Sequence, residues 1–212
     1  MRAVCFDNDG LLLDTESAWT RAQEILFARR GREFTADHKR FMIGSSGAMQ
    51  AQRYEQLLEL PGEGVALADE MHGLAMEELP KGVEPMPGAF ELVDALRAAG
   101  TPIALVSNSP REFVELALAT AGVGERFDMV LAREDVEHGK PAPDLYLTAC
   151  ADLGADPGES VGLEDTATGI AAVRAAGLFA IGIPSYPGVV LDDADLVAAS
   201  LLDEAVARAV GL

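Results

Sequence analysis

Five short apolar runs, separated for the most part by helical patterns, limit the fold of this chain more than any other feature. Ala3 to Phe6, Ile103 to Val106, Met129 to Ala132, Ser160 to Leu163 and Phe179 to Ile183 each have the length of a buried strand. Gly88 to Ala99 places Phe90, Val93, Leu96 and Arg97 at helical spacing and stops at Gly100, a residue suited to the position just past a helix. Ser109-Pro110-Arg111-Glu112 has the form of a capping box with proline at the first helical position, opening a helix to Ala121. That cap accounts for Ser109 without any further role. Pro143-Asp144 opens a helix that stops at Gly154, and Thr166 to Ala176 gives another before Gly177. Strands alternating with helices predict a Rossmann-like α/β core, a parallel sheet with helices on both faces. A weaker strand over Leu196 to Leu201 closes one edge.

The stretch between the first two strands breaks the alternation. Asp14 to Pro80 holds three or four helical patterns and no convincing strand, far more than one crossover helix requires. Glu16 to Arg30 is amphipathic through Trp19, Ala22, Ile25 and Leu26, and Met49 to Leu60 and Val65 to Leu79 repeat the helical period. An inserted all-helical domain over 15–81 is expected, with the core formed by 1–14 and 82–212.

Charge narrows the partners. The net charge of -19 argues against nucleic acid, whose phosphates need a cationic surface, and favours cations. No apolar run approaches the ~20 residues that span a bilayer. The first strand starts at once, without a signal-peptide pattern, so a cytoplasmic protein is expected. Cys5 and Cys150 are too few for a disulfide framework or a cysteine metal site. A phosphorylated substrate would need a local cation, and Lys39, Lys81 and Lys140 are the only lysines.

In open parallel sheets the site lies beyond the carboxyl ends of the strands. After the first strand come Asp7 and Asp9, after the second Ser107 and Asn108, and after the fourth Glu164 and Asp165; Lys140 lies between the third and fourth. Four carboxylates on one sheet edge repel one another and need a cation, and hard oxygen donors suit Mg²⁺. Each position has a structural alternative. Asp165 could cap the helix near Thr166, Ser107 could be a turn residue, and Lys140 a solvated loop lysine. The Asp7/Asp9 pair has none, and Gly10 after it permits a tight turn.

Asp7-Asn8-Asp9-Gly10, Ser107, Lys140 in Gly-Lys-Pro, and Glu164-Asp165 resemble the four ordered motifs of the haloacid dehalogenase superfamily. The helical insertion, and Glu164-Asp165-Thr166 followed by Gly169-Ile170, are similar to the subgroup of beta-phosphoglucomutase and sugar-phosphate phosphatases, in which the insertion is a cap. The resemblance implies that Asp7 is the nucleophile, forming an aspartyl phosphate, and that Asp9 is the general acid and then the base. It implies that Ser107 and Lys140 hold the phosphoryl oxygens. Mg²⁺ would be held by Asp7, the Asp9 carbonyl and Asp165, with Glu164 beside it or joined through water. Glu16, Trp19, Ser45, Ser46 and Asn108 are the candidates for contacting the leaving group.

The expected activity is hydrolysis of a small phosphorylated metabolite, a sugar or polyol phosphate, by a monomer or weak homodimer. A phosphosugar mutase is the alternative. Such mutases resemble this chain but carry a cap histidine and a cap-loop arginine where Trp19 and Gly47, in Ile43-Gly44-Ser45-Ser46-Gly47, stand here. Trp19 could instead be cap core packing. Haloalkanoate dehalogenases lack a counterpart of Asp9. A phosphoacceptor signalling module is more distant, because Met129 to Arg133 offers no acceptor aspartate on the third strand.

Overall fold

The computed structural model describes residues 1–42, 45, 47–186 and 188–212. Six strands form one sheet: β1 (Val4–Phe6), β2 (Ile103–Val106), β3 (Met129–Leu131), β4 (Val161–Glu164), β5 (Phe179–Gly182) and β6 (Leu196–Val197). Their order is β3-β2-β1-β4-β5-β6 and every pair is parallel. Val4 is in register with Ile103 on one side and Val161 on the other, so β1 is central. The weak strand expected over Leu196 to Leu201 is reduced to two residues at the edge.

The chain divides into two compact units, Met1–Asp14 with Glu84–Leu212, and Thr15–Val83. The second is all-helical, with α1 (Glu16–Ala28), α2 (Ala36–Met42), α3 (Gly47–Leu58) and α4 (Gly64–Glu78). Its apolar stripe of Ala18, Ala22, Leu26, Leu67, Met71 and Leu74 is buried where α1 packs on α4. Glu70 on α4 accepts from Arg29 at 2.8 Å and Arg30 at 2.6 Å, tying the end of α1 to the same helix.

In the first unit the sheet is flanked by α5 (Ala89–Ala98), α6 (Arg111–Ala121), α7 (Asp144–Asp152) and α8 (Ala167–Ala175), with α9 (Glu204–Val210) at the end. Side chains alternate across a strand, so Cys5, Ala104 and Val106 share one face. That face packs against Leu145, Tyr146, Ala149 and Cys150 of α7 and Ile170 and Val173 of α8. Val4, Phe6, Ile103 and Leu105 point the other way and are equally buried. The sheet is thus a two-sided core with rigid strand ends. The segments that leave and re-enter this unit run side by side, with the Asp14 N–H donating to Glu84 and the Met86 N–H to Leu12. Among the described residues no helix is long and apolar enough to cross a membrane.

Two helix starts differ from expectation or decide between alternatives. α6 begins at Arg111 with Pro110 at its cap and no side-chain capping bond, so the capping box expected at Ser109 does not form. Proline at the cap leaves the Ser109 hydroxyl outside the helix and available elsewhere. At α8 the cap is Thr166, whose side chain accepts from the Gly169 N–H. Asp165 is therefore not that helix's cap.

Candidate active site

The three central strands β2, β1 and β4 end together, and each delivers its polar residues immediately afterwards. The backbone ladder runs on past the strands, with the Asp7 N–H donating to Leu163 and the Ser107 N–H to Leu131, each within about 3 Å. This fixes where the side chains start. Gly10 turns the chain after Asp9 with φ of 82°, and a Cβ there would fall 2.6 Å from Asp165 Oδ2. Only glycine admits both the left-handed conformation and that approach.

Lys140 is the hub. It is 6% exposed, which rules out a solvated loop lysine. Its Nζ donates to Asp7 Oδ1 at 2.5 Å and to the Val106 carbonyl at 3.0 Å, and lies 2.6 Å from Glu164 Oε1. Those acceptors match the three protons of an ammonium. Burial disfavours its charge, but Asp7 and Glu164 more than offset that and push the Lys140 pKa up, so it stays protonated. Tyr146 donates to the same Glu164 oxygen at 2.6 Å, and burial with Glu164 pushes its phenol well up, keeping the donor hydrogen in place.

Asp7 is buried, and burial pushes its carboxyl well up; Lys140 opposes this, while Glu164, Asp165 and Asp9 add to it. One lysine therefore does not balance the carboxylates around it. Asp7, Glu164 and Asp165 can each offer an oxygen, and those oxygens lie within 4.8 Å of one another. An all-carboxylate set of this size, short of positive charge, fits a hard divalent cation, and these residues would hold it. Ser185 Oγ donates to Asp165 Oδ2 at 2.6 Å and orients it. Gly169 makes room for Glu164, since a Cβ there would lie 1.9 Å from the carboxylate carbon.

Asp9 is half-buried. Its Oδ2 accepts from Ser107 Oγ at 2.9 Å and from Ser109 Oγ at 2.8 Å, while Asn8 Nδ2 donates to Oδ1 at 3.1 Å. Ser107 is thus no simple turn residue. Asn108, expected among the leaving-group contacts, directs both ends of its amide to the Lys140 backbone, at 2.8 and 2.9 Å.

The family model for haloacid dehalogenase-like hydrolases matches residues 1–177. The chain belongs to that family. The haloacid dehalogenase-like hydrolase match spans both units. Among its relatives, validoxylamine A 7'-phosphate phosphatase of Streptomyces hygroscopicus subsp. limoneus is 31% identical over 95% of each chain. Fructose-1-phosphate phosphatase YqaB of Escherichia coli is 33% identical, covering 85% of this chain and 95% of its own. A solved structure of a haloacid dehalogenase family hydrolase from Deinococcus radiodurans, with bound phosphate and sodium, is 31% identical with a TM-score of 0.79, covering 99% of this chain and 96% of that one.

The remaining candidates of this hydrolase lie on the helical unit. Glu16 opens α1, 3.8 Å from Lys39, and Trp19 is half-buried on the same helix. Ser45 donates its hydroxyl to the Met42 carbonyl. Ser46 lies outside the described residues. Three site residues escaped the sequence reading. Ser109 carried a signal, because alternate residues of an extended segment share a side and Ser109 follows Ser107 by two. Ser185, just beyond β5, was discoverable by extending the strand-end comparison to the fifth strand. Tyr146 carried none, being one more large side chain on an apolar helix face.

Proposed function

We propose that this hydrolase is a Mg²⁺-dependent phosphatase for small phosphomonoesters, sugar or polyol phosphates, acting through an aspartyl phosphate on Asp7. The observation that carries the proposal is the buried Lys140 ammonium set 2.5 Å from Asp7 among carboxylates. A cation so placed opposes the rise that burial imposes on Asp7 and is suited to a phosphoryl oxygen. The two phosphatase relatives, each named for a phosphorylated small molecule, support the same reading.

In the first half-reaction an Asp7 oxygen attacks phosphorus, the bond to the ester oxygen breaks, and protonated Asp9 gives its proton to the departing alkoxide. In the second, Asp9 takes a proton from water as that water attacks phosphorus; the bond to Asp7 breaks and inorganic phosphate leaves. Ser107 and Lys140 hold the phosphoryl oxygens. Mg²⁺, held by Asp7, Asp165 and the Asp9 carbonyl with Glu164 beside it or joined through water, would supply charge neutralisation at the phosphoryl group. Choice of leaving group is assigned to the helical unit over 15–81 as a cap, with Glu16, Trp19 and Ser45 as its residues.

The test is phosphate release from a panel of sugar, polyol and nucleoside monophosphates, with Mg²⁺ or with EDTA. Beta-glucose 1-phosphate is included with a coupled assay for glucose 6-phosphate. Mg²⁺-dependent release, abolished by EDTA and by Asp7→Asn, is expected. Conversion of glucose 1-phosphate to glucose 6-phosphate without phosphate loss would replace the phosphatase with a mutase.

A further inference from the structure

Lys140 comes from a loop, not from a strand end, and a catalytic group on a loop needs something to fix it. Both polar groups of its backbone are taken by one side chain 32 residues earlier. The Lys140 N–H donates to Asn108 Oδ1 at 2.8 Å, and Asn108 Nδ2 donates to the Lys140 carbonyl at 2.9 Å. The primary amide thus pairs with the peptide as a neighbouring strand would, and ties the loop to the end of β2. The other end of the lysine is fixed to the same strand, because Nζ donates to the Val106 carbonyl at 3.0 Å.

The residue before Lys140 is fitted to this pairing. A Cβ at Gly139 would fall 2.5 Å from Asn108 Oδ1 and 2.9 Å from Arg133 Cδ, so any other residue displaces one of them. The Arg133 guanidinium in turn donates to the Val136 carbonyl at 2.9 Å and the Glu137 carbonyl at 3.1 Å, bracing the approach to Gly139. Asn108 Oδ1 and Nδ2 are both engaged by the Lys140 backbone, which gives the amide a task apart from any leaving group.

We infer that Asn108 is a positioning residue: its side-chain amide, seated against Gly139, clamps the Lys140 backbone and thereby sets the ammonium on Asp7. The inference rests on the proposed role of Lys140 in phosphoryl transfer. A clamp of this kind acts on the phosphoryl group, common to every ester, and not on the part that differs between them. Misplacement of a catalytic group by about 1 Å can reduce rate about 100-fold.

The experiment compares the full-length wild type, Asn108→Ala, Gly139→Ala and the double variant. kcat and KM are measured on p-nitrophenyl phosphate, glycerol phosphate and a hexose phosphate, alongside thermal melting and hydrogen exchange at the Lys140 amide. Asn108→Ala is expected to lower kcat about 10- to 100-fold by the same factor on all three esters, with KM changed less than about 3-fold. Gly139→Ala should act in the same direction, and the double variant should be no worse than the poorer single variant, because both break one clamp. Exchange at Lys140 should quicken at least about 10-fold in Asn108→Ala, since its N–H loses its acceptor. A loss that varies with the leaving group, multiplicative effects in the double variant, or unchanged exchange in a folded Asn108→Ala would each overturn the clamp. Should Asn108→Ala fail to fold, Gly139→Ala, which retains the amide, carries the same comparison. A folded wild type that releases phosphate from no ester would instead overturn the phosphatase and the catalytic half of this inference, while the exchange result still reports on the clamp.

Discussion

Two serine hydroxyls converge on one oxygen of Asp9, and they differ in what they can do next. Ser107 is assigned to the phosphoryl group, so its hydroxyl must turn from Asp9 when an ester binds. Ser109, at 2.8 Å, is the donor that can remain and keep the carboxyl oriented through both proton transfers. Ser109→Ala is therefore expected to lower kcat about 3- to 10-fold, a fraction of the roughly 100-fold or more that a general acid-base contributes. Melting temperature should move little. Steady-state and rapid-quench kinetics check this, the rapid-quench trace showing slower decay of the phosphoenzyme; an unchanged kcat would remove Ser109 from the site. Asp7, Asp9, Ser107, Lys140, Glu164 and Asp165 were legible because each stands at a strand end or in a short motif of fixed order. Ser109 was obscured because Ser-Pro-x-Glu spells a helix cap locally, whereas tertiary contact with Asp9 won. Tyr146 was obscured because a buried tyrosine on an apolar helix is normal core until its hydroxyl is seen to end on Glu164.

At the scale of elements, the site depends on how closely α8 approaches the end of β4. Gly169 in the first turn of α8 leaves the space that the Glu164 carboxylate fills. Gly169→Ala would force the helix or the carboxylate to move and is expected to destabilise the fold by about 1–3 kcal/mol, the usual cost of overpacking. Chemical denaturation measures it, and a neutral result would mean that α8 shifts freely. In the helical unit, Arg30 and Arg29 hold the Glu70 carboxyl below its ordinary value of 4.5. A carboxyl depressed on folding adds stability above its unfolded pKa, lost as pH falls through the folded one. Glu70→Gln should thus cost up to about 1 kcal/mol at pH 7 and converge with the wild type in acid. Equal gaps at both pH values would contradict the pairing. Helix existence was legible from period and glycine stops: Gly100, Gly154 and Gly177 all take positive φ just past their helices. α2 and α9 were not singled out, being one to two turns long, too short for periodicity to stand out.

For the whole molecule, a chain of net charge -19 is proposed to take an anionic substrate, and the reading reconciles the two locally. In the proposed reaction, the buried Lys140 and the divalent cation that the carboxylates suit would supply positive charge at the phosphoryl position. The parallel sheet was legible from the alternation of strand and helix, because right-handed crossovers leave few other solutions. What selects the ester was not, since the residues proposed for it, Glu16, Trp19 and Ser45, would act through tertiary placement that no local motif encodes. The central claim is that Asp7 becomes phosphorylated, and mass spectrometry of the acid-quenched reaction tests it most directly. Asp9→Asn, incubated with Mg²⁺ and an ester that the wild type hydrolyses, should accumulate one phosphoryl group on the peptide containing Asp7, because the base needed to release it is gone. Phosphate released by folded Asp9→Asn at the wild-type rate, with no label on that peptide, would contradict the account.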